Sequence, residues 1–422
     1  MLDINLIRND PERVKKSMKV KHRDPDVIDQ LLAVDRDRRI LQKNLEDHQS
    51  QLNKLSLDIP KYHGQQKLNL IEKANPVSQK VKELKPEFEK LDEEWMNLML
   101  SIPNLVADDV PEGKSEADNV EVRQWGEKPK FDFQPKTHEE LNQTLKLFNM
   151  EQGAKVTGNK FYYLTGDAVI LEMALMRYAM DFMKKKGFEP LTVPDLVQKQ
   201  ALYGTGHFPP EEDAYHVMPE DLWLVATAEI GILSYHAEQT FMEWELPKRY
   251  VGYSACFRPE AGAYGKEARG LYRIHHFHKV EMFSFTRPQD SEREHELVVQ
   301  CSEEIMQSLG LHYRVVNCCG GDLGLPQNKR FDIETWMPGL DKYGETHSGS
   351  NVTDFCARRL GIKYRPTGEE KKTEYVHSLN NTVIASPRIM IPILEQFQQA
   401  DGSVKIPEVL HQYIGFTELR AR

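Results

Sequence analysis

The chain has 422 residues, of which 40% are hydrophobic and 28% are charged, and its formal net charge is −10. These values are typical of a globular protein with two or three domains. The sequence contains no run of eighteen apolar residues, which argues against a transmembrane helix. The N-terminus has neither the basic start nor the apolar core of a signal peptide, so we expect no membrane partner.

The charge balance bears on nucleic acid as a partner. A net charge of −10 is unfavourable for wide contact with phosphates, but phosphate binding needs only a local basic patch. One such patch lies between residues 13 and 23, although an ordinary solvated helix face is the commoner explanation of such a run. It consists of Arg13, Lys15, Lys16, Lys19, Lys21 and Arg23.

The five cysteines form no CxxC pair, and only Cys318 and Cys319 are close in sequence. Adjacent cysteines make neither a metal knuckle nor an easy disulfide. The sequence therefore predicts reduced thiols in a cytoplasmic protein without a zinc site.

The first hundred residues carry helix signals. Asp10 followed by Pro11 predicts a helix that begins at Pro11 with Asp10 as its cap. Apolar residues then recur in alternating steps of three and four over residues 31–59 and again over 77–102. Pro60 and Gly64 end the first seam, Asn75-Pro76 predicts the start of the second, and Pro86 predicts a kink within it. The seams comprise Leu31, Val34, Leu41, Leu45, Leu52, Leu55 and Ile59, then Val77, Val81, Leu84, Phe88, Leu91, Trp95, Leu98 and Ile102.

Two seams joined by helix breakers predict an antiparallel helical hairpin over about residues 28–102, within an N-terminal domain of residues 1–103. An ordinary helical bundle is the alternative, but a bundle helix usually has a wider apolar stripe. Here the faces away from each seam are almost entirely polar. The pattern favours a coiled-coil arm that contacts a partner.

The remaining chain changes character twice. Prolines and glycines punctuate a charged stretch at 104–136, which predicts a linker. Residues 137–422 mix strand and helix signals, so an α+β domain is expected there. Within it we predict a helix over 168–186, an extended segment at 188–194, two strands around a glycine-rich loop at 249–286 and a late helix over 385–399.

The stretch from Phe257 to Met282 holds the most informative chemistry. Alternate residues of a strand share a face, so Arg258 and Glu260 point together, as do Phe277 and Glu281. Arginine suits a phosphate, carboxylates suit an amine or a hydroxyl, and an aromatic ring suits a nucleobase. A surface hairpin with assorted salt bridges is the alternative for any single one of these residues.

The combination resembles motif 2 of the class II aminoacyl-tRNA synthetases, and the surrounding sequence resembles the seryl-tRNA synthetase family. The resemblance covers nearly the whole chain. It comprises motif 1 at about 168–195, Gly204-Thr205-Gly206-His207-Phe208-Pro209, Thr227-Ala228-Glu229, motif 2 at about 249–286 with Ala261, Gly262 and Arg269, Glu345-Thr346-His347-Ser348, and motif 3 at about 379–399 with Asn380-Asn381-Thr382 and Arg388. It implies an α+β fold with an N-terminal antiparallel helical hairpin and a class II catalytic domain built on an antiparallel sheet flanked by helices.

The resemblance also implies roles at an amino acid site. Glu229 would bind the α-ammonium group of serine, with Thr227, Ala228 and Asn380 beside it. Glu281 and Thr382 would bind the serine hydroxyl, and a site that hydrogen-bonds a hydroxyl rejects alanine because buried polar groups would be left unpaired.

At the ATP site the resemblance implies catalytic roles for three residues. Arg258 would bind the α-phosphate, Glu260 would face the adenine, and Arg388 would sandwich the adenine ring against Phe277. Glu345 and Ser348 would ligate Mg²⁺ because that ion prefers oxygen donors. The remaining residues of the implied ATP site are Pro259, Thr346 and His347, where His347 stands at a position more often occupied by serine.

The partners implied are ATP, L-serine, tRNA-Ser and also tRNA-Sec, with a homodimer formed through motif 1. Three alternatives stay open at this point: a non-catalytic tRNA-binding paralogue, a ligase that loads a carrier protein, and a coiled-coil scaffold. The first would have lost Arg258, Glu281 or Arg388, and all three are present. The second would lack the long hairpin and carry a zinc site, and the third would not explain residues 140–422.

Overall fold

The computed structural model describes residues 1–207, 214–260, 270–369 and 371–421. These residues form two compact units, Met1–Leu105 and Val106–Arg422. Parts of two predicted motifs lie outside the described residues, namely Phe208, Pro209, Ala261, Gly262 and Arg269.

The first unit consists of helices, with a short 3₁₀ turn at Ile59–Lys61. The helices are α1 (Ile4–Asn9), α2 (Pro11–Val20), α3 (Asp26–Asp58) and α4 (Gly64–Ser101). The predicted start of α2 is confirmed, because the Asp10 side chain accepts a hydrogen bond from the amide of Arg13 and Pro11 occupies the first helical position.

Helices α3 and α4 form the antiparallel hairpin that the two seams predict. Only Ile28, Leu31 and Asp35 are fully buried in α3, all near its start. Farther along, Arg38 donates a 2.5 Å hydrogen bond to Asp92 across the hairpin. The outer faces of this arm are exposed along most of its length, as its polar composition indicates.

The second helix of the hairpin begins earlier than the sequence predicts. We expected its start at Asn75-Pro76, but α4 begins at Gly64 and continues through Pro76 and Pro86. A proline in a helix removes one hydrogen bond and crowds the carbonyl four residues back. Glu72, whose carbonyl Pro76 opposes, is exposed, so water can satisfy that group.

The second unit is built on an eight-stranded sheet with strand order β1-β11-β12-β13-β16-β10-β9-β4. Neighbouring strands are antiparallel except β4 and β9, which are parallel. The sheet strands are β1 (Val120–Trp125), β4 (Glu189–Thr192), β9 (Lys248–Phe257), β10 (His276–Thr286), β11 (Tyr313–Asn317), β12 (Lys329–Met337), β13 (Lys342–Asn351) and β16 (His377–Ser386).

Shorter strands form small separate sheets around the main one. They are β2 (Phe148–Asn149), β3 (Tyr163–Leu164), β5 (Leu196–Gln198), β6 (His216–Val217), β7 (Leu222–Leu224), β8 (Thr240–Met242), β14 (Lys363–Arg365), β15 (Glu374–Tyr375), β17 (Val404–Lys405) and β18 (Glu418–Leu419). The helices of this unit are α5 (His138–Leu145), α6 (Met150–Thr157), α7 (Asp167–Lys185), α8 (Lys199–Thr205), α9 (Ala228–Tyr235), α10 (Ser291–Ser308), α11 (Phe355–Leu360), α12 (Met390–Gln396) and α13 (His411–Ile414).

One face of the main sheet carries the core and the other carries polar side chains. Helices α7, α10 and α12 pack on the core face. Along β10, Val280 and Met282 point into this core, whereas Phe277, Lys279 and Glu281 point to the opposite face. Strand alternation therefore places three chemically active side chains side by side.

The predicted linker at 104–136 is wrong in its middle. Residues 120–125 form β1, the edge strand that pairs with β11, and Trp125 stacks on Tyr313 with ring centroids 6.1 Å apart. The valines of this strand alternate with charged residues, and one of these, Arg123, bonds to Glu303. The charged composition hid a strand whose polar side chains have partners in the fold.

Two other predictions in this unit meet different outcomes. The predicted helix over 168–186 is confirmed as α7. The predicted helix over 385–399 is wrong at its start, because β16 continues to Ser386 and α12 begins only at Met390. None of the helices in the described part of the chain combines the length and apolarity needed to cross a bilayer.

Candidate active site

The polar face of the main sheet bears a cavity of about 320 Å³. Strands β10, β12, β13 and β16 contribute lining residues, as do Arg258 and Glu260, which follow β9, and the N-terminus of α9 forms one wall. Most of the predicted site residues line this one cavity, namely Thr227, Glu229, Arg258, Glu260, Phe277, Glu281, Glu345, Thr346, Ser348, Asn380, Thr382 and Arg388.

Three predicted site residues do not line the cavity. Ala228 is fully buried where α9 packs on β9. Pro259 lies between Arg258 and Glu260 but does not reach the cavity wall. His347 is turned to the other face of the sheet, where Nε2 is 3.0 Å from the carbonyl oxygen of Val383, so its assignment to the ATP site is wrong in this geometry.

One end of the cavity is built where α9 meets β10. Thr227 caps α9 and donates its hydroxyl hydrogen to the carboxylate of Glu281. The amide of Glu229 donates to the same carboxylate at 3.1 Å, and Lys279 Nζ donates to its other oxygen at 2.8 Å. Asn380 Nδ2 donates to Glu229 Oε2 at 2.8 Å and to Glu281 Oε1 at 3.3 Å. Two buried carboxyl groups are thus connected by one amide.

A glycine on β9 makes this arrangement possible. Gly252 pairs with Glu281 across the two strands. A Cβ atom at position 252 would lie 2.9 Å from Cδ1 of Ile232 and 3.1 Å from Cβ of Ala228, both on α9. The absence of a side chain therefore lets α9 approach the sheet and brings its positively polarised N-terminus to the Glu281 carboxylate.

The pKa values of Glu229 and Glu281 are shifted in opposite directions. Burial, together with the charge of Glu281, raises the pKa of Glu229 to about 8. Burial would also raise the pKa of Glu281, but the charge and hydrogen bond of Lys279, with the donors Thr227 and the Glu229 amide, hold it below its ordinary value. At neutral pH Glu281 is therefore ionised and Glu229 retains its proton.

The other end of the cavity is lined by arginines and aromatic rings. The backbone of Arg258 is fixed by two hydrogen bonds to His275, at 2.9 and 2.8 Å, which close the space between β9 and β10. Its guanidinium carbon lies 5.1 Å from the ring centroid of Phe277. Glu260 accepts a 2.7 Å hydrogen bond from Arg273. These contacts aim a cation and a flat ring into the same space.

Arg388 faces the same space from the end of β16. Its guanidinium carbon lies 4.6 Å from the ring centroid of Tyr272, and its Nε donates to the Tyr272 carbonyl at 3.1 Å. An ion pair of 3.5 Å joins it to Glu345. Desolvation would raise the pKa of Glu345, but the charges of Arg388, Arg330 and Arg258 outweigh it and hold that pKa below its ordinary value. Glu345 is therefore ionised at neutral pH.

The donor set at this end fits a hard cation. Glu345 offers a carboxylate and Ser348 a hydroxyl, and both line the cavity on β13. Oxygen donors of this kind suit Mg²⁺.

A separate acidic and thiol cluster, Cys318, Asp322 and Asp332, also brings possible metal ligands within 4.8 Å of one another. Arg330 fills this cluster, because its Nε lies 3.1 Å from the Cys318 sulfur and its Nη2 pairs with both carboxylates. The guanidinium group balances the negative charge, so the cluster gives no reason to expect a metal.

Several lining residues were missed in the sequence. Lys279 shares the alternate face of Phe277 and Glu281, so the same alternation identifies it once the strand is known. Arg330 lies on β12, far away in sequence, and no local signal marks it. The other missed polar residues are His207, Tyr272, Gln327, Ser350 and Ser386.

Comparison with family models gives two matches. Residues 1–106 match the seryl-tRNA synthetase N-terminal domain. Residues 215–397 match the tRNA synthetase class II core domain of the G, H, P, S and T group. The two matches fall on the helical unit and on the sheet unit respectively.

Relatives and solved structures agree with these matches over the full length. The chain is 44% identical to a serine–tRNA ligase of Dictyoglomus turgidum, with 100% of both chains covered, and 42% identical to one of Rubrobacter xylanophilus, with 98% of both covered. Among solved structures, seryl-tRNA synthetase from Pyrococcus horikoshii complexed with ATP superposes with a TM-score of 0.91 at 38% identity and covers all of both chains. The cytoplasmic serine–tRNA ligase of Naegleria fowleri in complex with AMP gives 0.86 at 33% identity, covering 100% of this chain and 99% of that one.

Proposed function

Because this chain belongs to the seryl-tRNA synthetase family of class II ligases, we propose that it activates L-serine with ATP and transfers the seryl group to tRNA-Ser. One observation carries the proposal: a single cavity joins a pair of buried carboxyl groups to a set of arginines and aromatic rings. A small amino acid with a hydroxyl group suits the first end, and a nucleotide suits the second.

In the first step, a carboxylate oxygen of serine attacks the α-phosphorus of ATP. A bond forms between that oxygen and phosphorus, the bond to the β-phosphate breaks, and diphosphate leaves. Arg258 binds the α-phosphate and compensates the charge that develops on it, so positioning and electrostatics supply the catalysis. Phe277 and Arg388 bind the adenine ring, with Glu260 beside it.

Serine is recognised by the hydrogen-bonding groups at the α9 end of the cavity. Glu229 pairs with the ammonium group, and Glu281 and Thr382 bind the hydroxyl, with Thr227 and Asn380 as neighbours. Alanine lacks the hydroxyl and would leave these buried groups unpaired, which is a strong basis for rejection.

Glu345 and Ser348 would hold Mg²⁺ in this proposal, and the bound ion would neutralise charge on the phosphates of ATP. Zinc has no part in it. In the second step, a ribose hydroxyl at the 3′ end of the tRNA attacks the carbonyl carbon of seryl-adenylate, an ester forms, and AMP leaves.

Serine-dependent exchange of diphosphate into ATP tests the proposal most directly. Run across all twenty amino acids, the assay is expected to respond to serine alone. No exchange with serine would refute the activation step and favour a non-catalytic paralogue. Supplying tRNA-Ser or a carrier protein as the acceptor separates tRNA charging from the carrier-loading alternative.

The hairpin of α3 and α4 is the proposed contact for the tRNA. Its outer faces are exposed, and exposed lysines along it suit a phosphate backbone: Lys43, Lys54, Lys67 and Lys73. The same arm would also contact tRNA-Sec. Direct charging of tRNA-Sec by the enzyme tests this.

A shortened hairpin tests this role without disturbing its base. Arg38 faces Asp92 across the hairpin and lies over the rings of Phe88 and Trp95 at 5.5 and 4.6 Å. Replacing residues 49–81 by a short glycine-rich loop keeps these contacts. We expect normal diphosphate exchange and loss of tRNA charging, and undiminished charging would refute the role of the arm.

The chain is also proposed to act as a homodimer through motif 1. Three apolar side chains of α7, Val169, Ile170 and Met173, are 37%, 43% and 64% exposed, and Leu196 is 40% exposed. An apolar face of this kind suits a second copy of the chain. A sedimentation mass of one chain at micromolar concentration would contradict the dimer.

The proposed location is the cytoplasm. All five cysteines are free and buried, as expected for a reducing compartment.

A further inference from the structure

The amino acid end of the cavity holds a lysine to which the proposed reaction gives no role. Lys279 is 7% exposed, and it lines the cavity between Phe277 and Glu281 on the same face of β10. Its ammonium group donates to Glu281 Oε1 at 2.8 Å. A cation so thoroughly withdrawn from water requires a compensating partner, and Glu281 is that partner.

The hydrogen bonds around Glu281 occupy both of its oxygens. Oε1 accepts from Lys279 and, at 3.3 Å, from Asn380, while Oε2 accepts from Thr227 and from the amide of Glu229. Glu229 itself accepts only the 2.8 Å bond from Asn380 among the residues that the structure describes. The resident positive charge is therefore committed to Glu281, and Glu229 has a neutral amide as its neighbour.

Other titratable or charged groups that face this pair leave the assignment unchanged. His207, at the end of α8, is neutral because burial, with the charge of Arg258, lowers its pKa to about 4. Cys356 on α11 is a neutral thiol because burial, with the charge of Glu229, raises its pKa to about 12. Arg258 acts on His207 and on Glu345 but makes no hydrogen bond to either Glu229 or Glu281 within the described ranges.

We propose that Lys279 is a positioning residue of the amino acid site, which holds Glu281 as an ionised acceptor for the substrate hydroxyl and thereby leaves Glu229 as the carboxyl group that pairs with the substrate ammonium. This rests on the proposed function. Two carboxylates face one resident ammonium group, and the substrate brings the second. The ammonium groups of Lys279 and of the substrate then balance the two carboxylates, so the site requires a ligand that carries an ammonium group as well as a short hydroxyl.

The proposal assigns Lys279 an action through Glu281 rather than a contact with substrate. A double-mutant cycle distinguishes the two, because residues that act through one another give non-additive effects. The cycle uses Lys279→Gln, Glu281→Gln and the double variant in serine-dependent diphosphate exchange, with KM for serine, KM for ATP and kcat measured for each.

We expect Lys279→Gln alone to raise the KM for serine at least tenfold while the KM for ATP changes less than twofold. In the Glu281→Gln background the same change should raise the serine KM less than threefold, since the charge that the lysine balances is gone. Lys279→Arg should recover most of the affinity for serine, because it restores a cation. The Lys279→Gln enzyme should also need a higher pH than the wild type before its serine KM stops falling, because Glu281 has lost the positive charge that keeps it ionised.

An equal effect of Lys279→Gln in both backgrounds would overturn the proposal, as would an unchanged serine KM. If Lys279→Gln alone does not fold, the double variant remains informative, because it removes both buried charges together. A double variant much weaker for serine than Glu281→Gln would then overturn the proposal. A wild-type enzyme without serine-dependent exchange would overturn the proposed function and this inference together, whereas an active wild type with an additive cycle would overturn only the inference.

Discussion

The two ends of the cavity hold their charged groups in different ways. At the end proposed to bind the amino acid, Glu281 takes hydrogen bonds at both carboxylate oxygens, and Asn380 connects it to Glu229. At the end proposed to bind the nucleotide, the guanidinium groups of Arg258 and Arg388 lie over aromatic rings at 5.1 and 4.6 Å. One end is a network of directional bonds, whereas the other end also stacks its cations on flat rings.

This difference indicates which end selects the amino acid and which end governs the reaction of ATP. A buried hydrogen-bond network is strict, because each missing partner leaves a group unsatisfied in a medium of low dielectric. Stacking of a cation on a ring tolerates sliding and exchange of one flat group for another. Changes at the first end should therefore alter amino acid selection, and changes at the second should alter the binding and reaction of ATP.

The largest expected effect comes from Arg258 at the nucleotide end. Arg258→Ala should reduce the rate of adenylate formation by about 10³-fold, because it removes the charge opposite the α-phosphate. The fold should persist, since the hydrogen bonds of Arg258 to His275 run through its backbone. Diphosphate exchange and thermal unfolding measure the two quantities.

Arg293→Ala is the matched control for this substitution. Arg293 is 78% exposed on α10 and pairs with nearby Asp290, so its loss should leave exchange unchanged within twofold. An Arg258→Ala enzyme that retains a tenth of the wild-type rate would contradict the assigned role and weaken the distinction between the two ends.

The hairpin was predictable from the sequence because its signal is local. Alternating steps of three and four over residues 31–59 fix which face of each helix is buried, wherever the rest of the chain lies. The start of α4 was predicted wrongly because a proline such as Pro76 is typical of the first position of a helix. A proline can also lie inside a helix where the chain is exposed, as Pro76 does in α4. The end of β16 escaped because a short apolar run such as Val383-Ile384-Ala385 suits a strand or a helix equally.

The cavity was predictable only in part, because local sequence does not determine which strands pair with one another. Alternation correctly grouped Phe277 with Glu281, and it also implies Lys279, which lies between them. His347 was assigned to the ATP site through the motif resemblance, and the fold turns it away because a register shift in the pairing of β12 with β13 falls between Glu345 and His347. Arg330 reaches the cavity from β12, and only the order of strands in the folded sheet brings it there.

The second prediction concerns pH and sharpens the contrast at the amino acid end. Glu229, with its pKa raised to about 8, carries a proton at pH 7 and must lose it to pair with an ammonium group. The KM for serine should therefore fall about tenfold per pH unit from pH 6 to pH 7 and level off near pH 8. Steady-state exchange across this range measures it.

The nucleotide end supplies the internal control for that measurement, because the KM for ATP should not follow the same curve. Glu229→Gln should abolish the pH dependence of the serine KM and raise its value, since an amide has no proton to lose. A serine KM that is flat between pH 6 and pH 8 in the wild type would show that Glu229 is already ionised.

The smallest expected effect is at Phe277. Phe277→Ala should raise the KM for ATP about fivefold, because one stacking face for the adenine is lost while Arg388 and Tyr272 remain. The KM for serine should change less than twofold, since the carboxyl network does not include the ring. Phe277→Trp, which keeps a flat face, should restore the ATP affinity. Parallel titrations of ATP and serine in diphosphate exchange measure both KM values. If the KM for serine rose as much as the KM for ATP, the ring of Phe277 would also support the hydrogen-bonded end. The two ends of the cavity would then have to be treated as one.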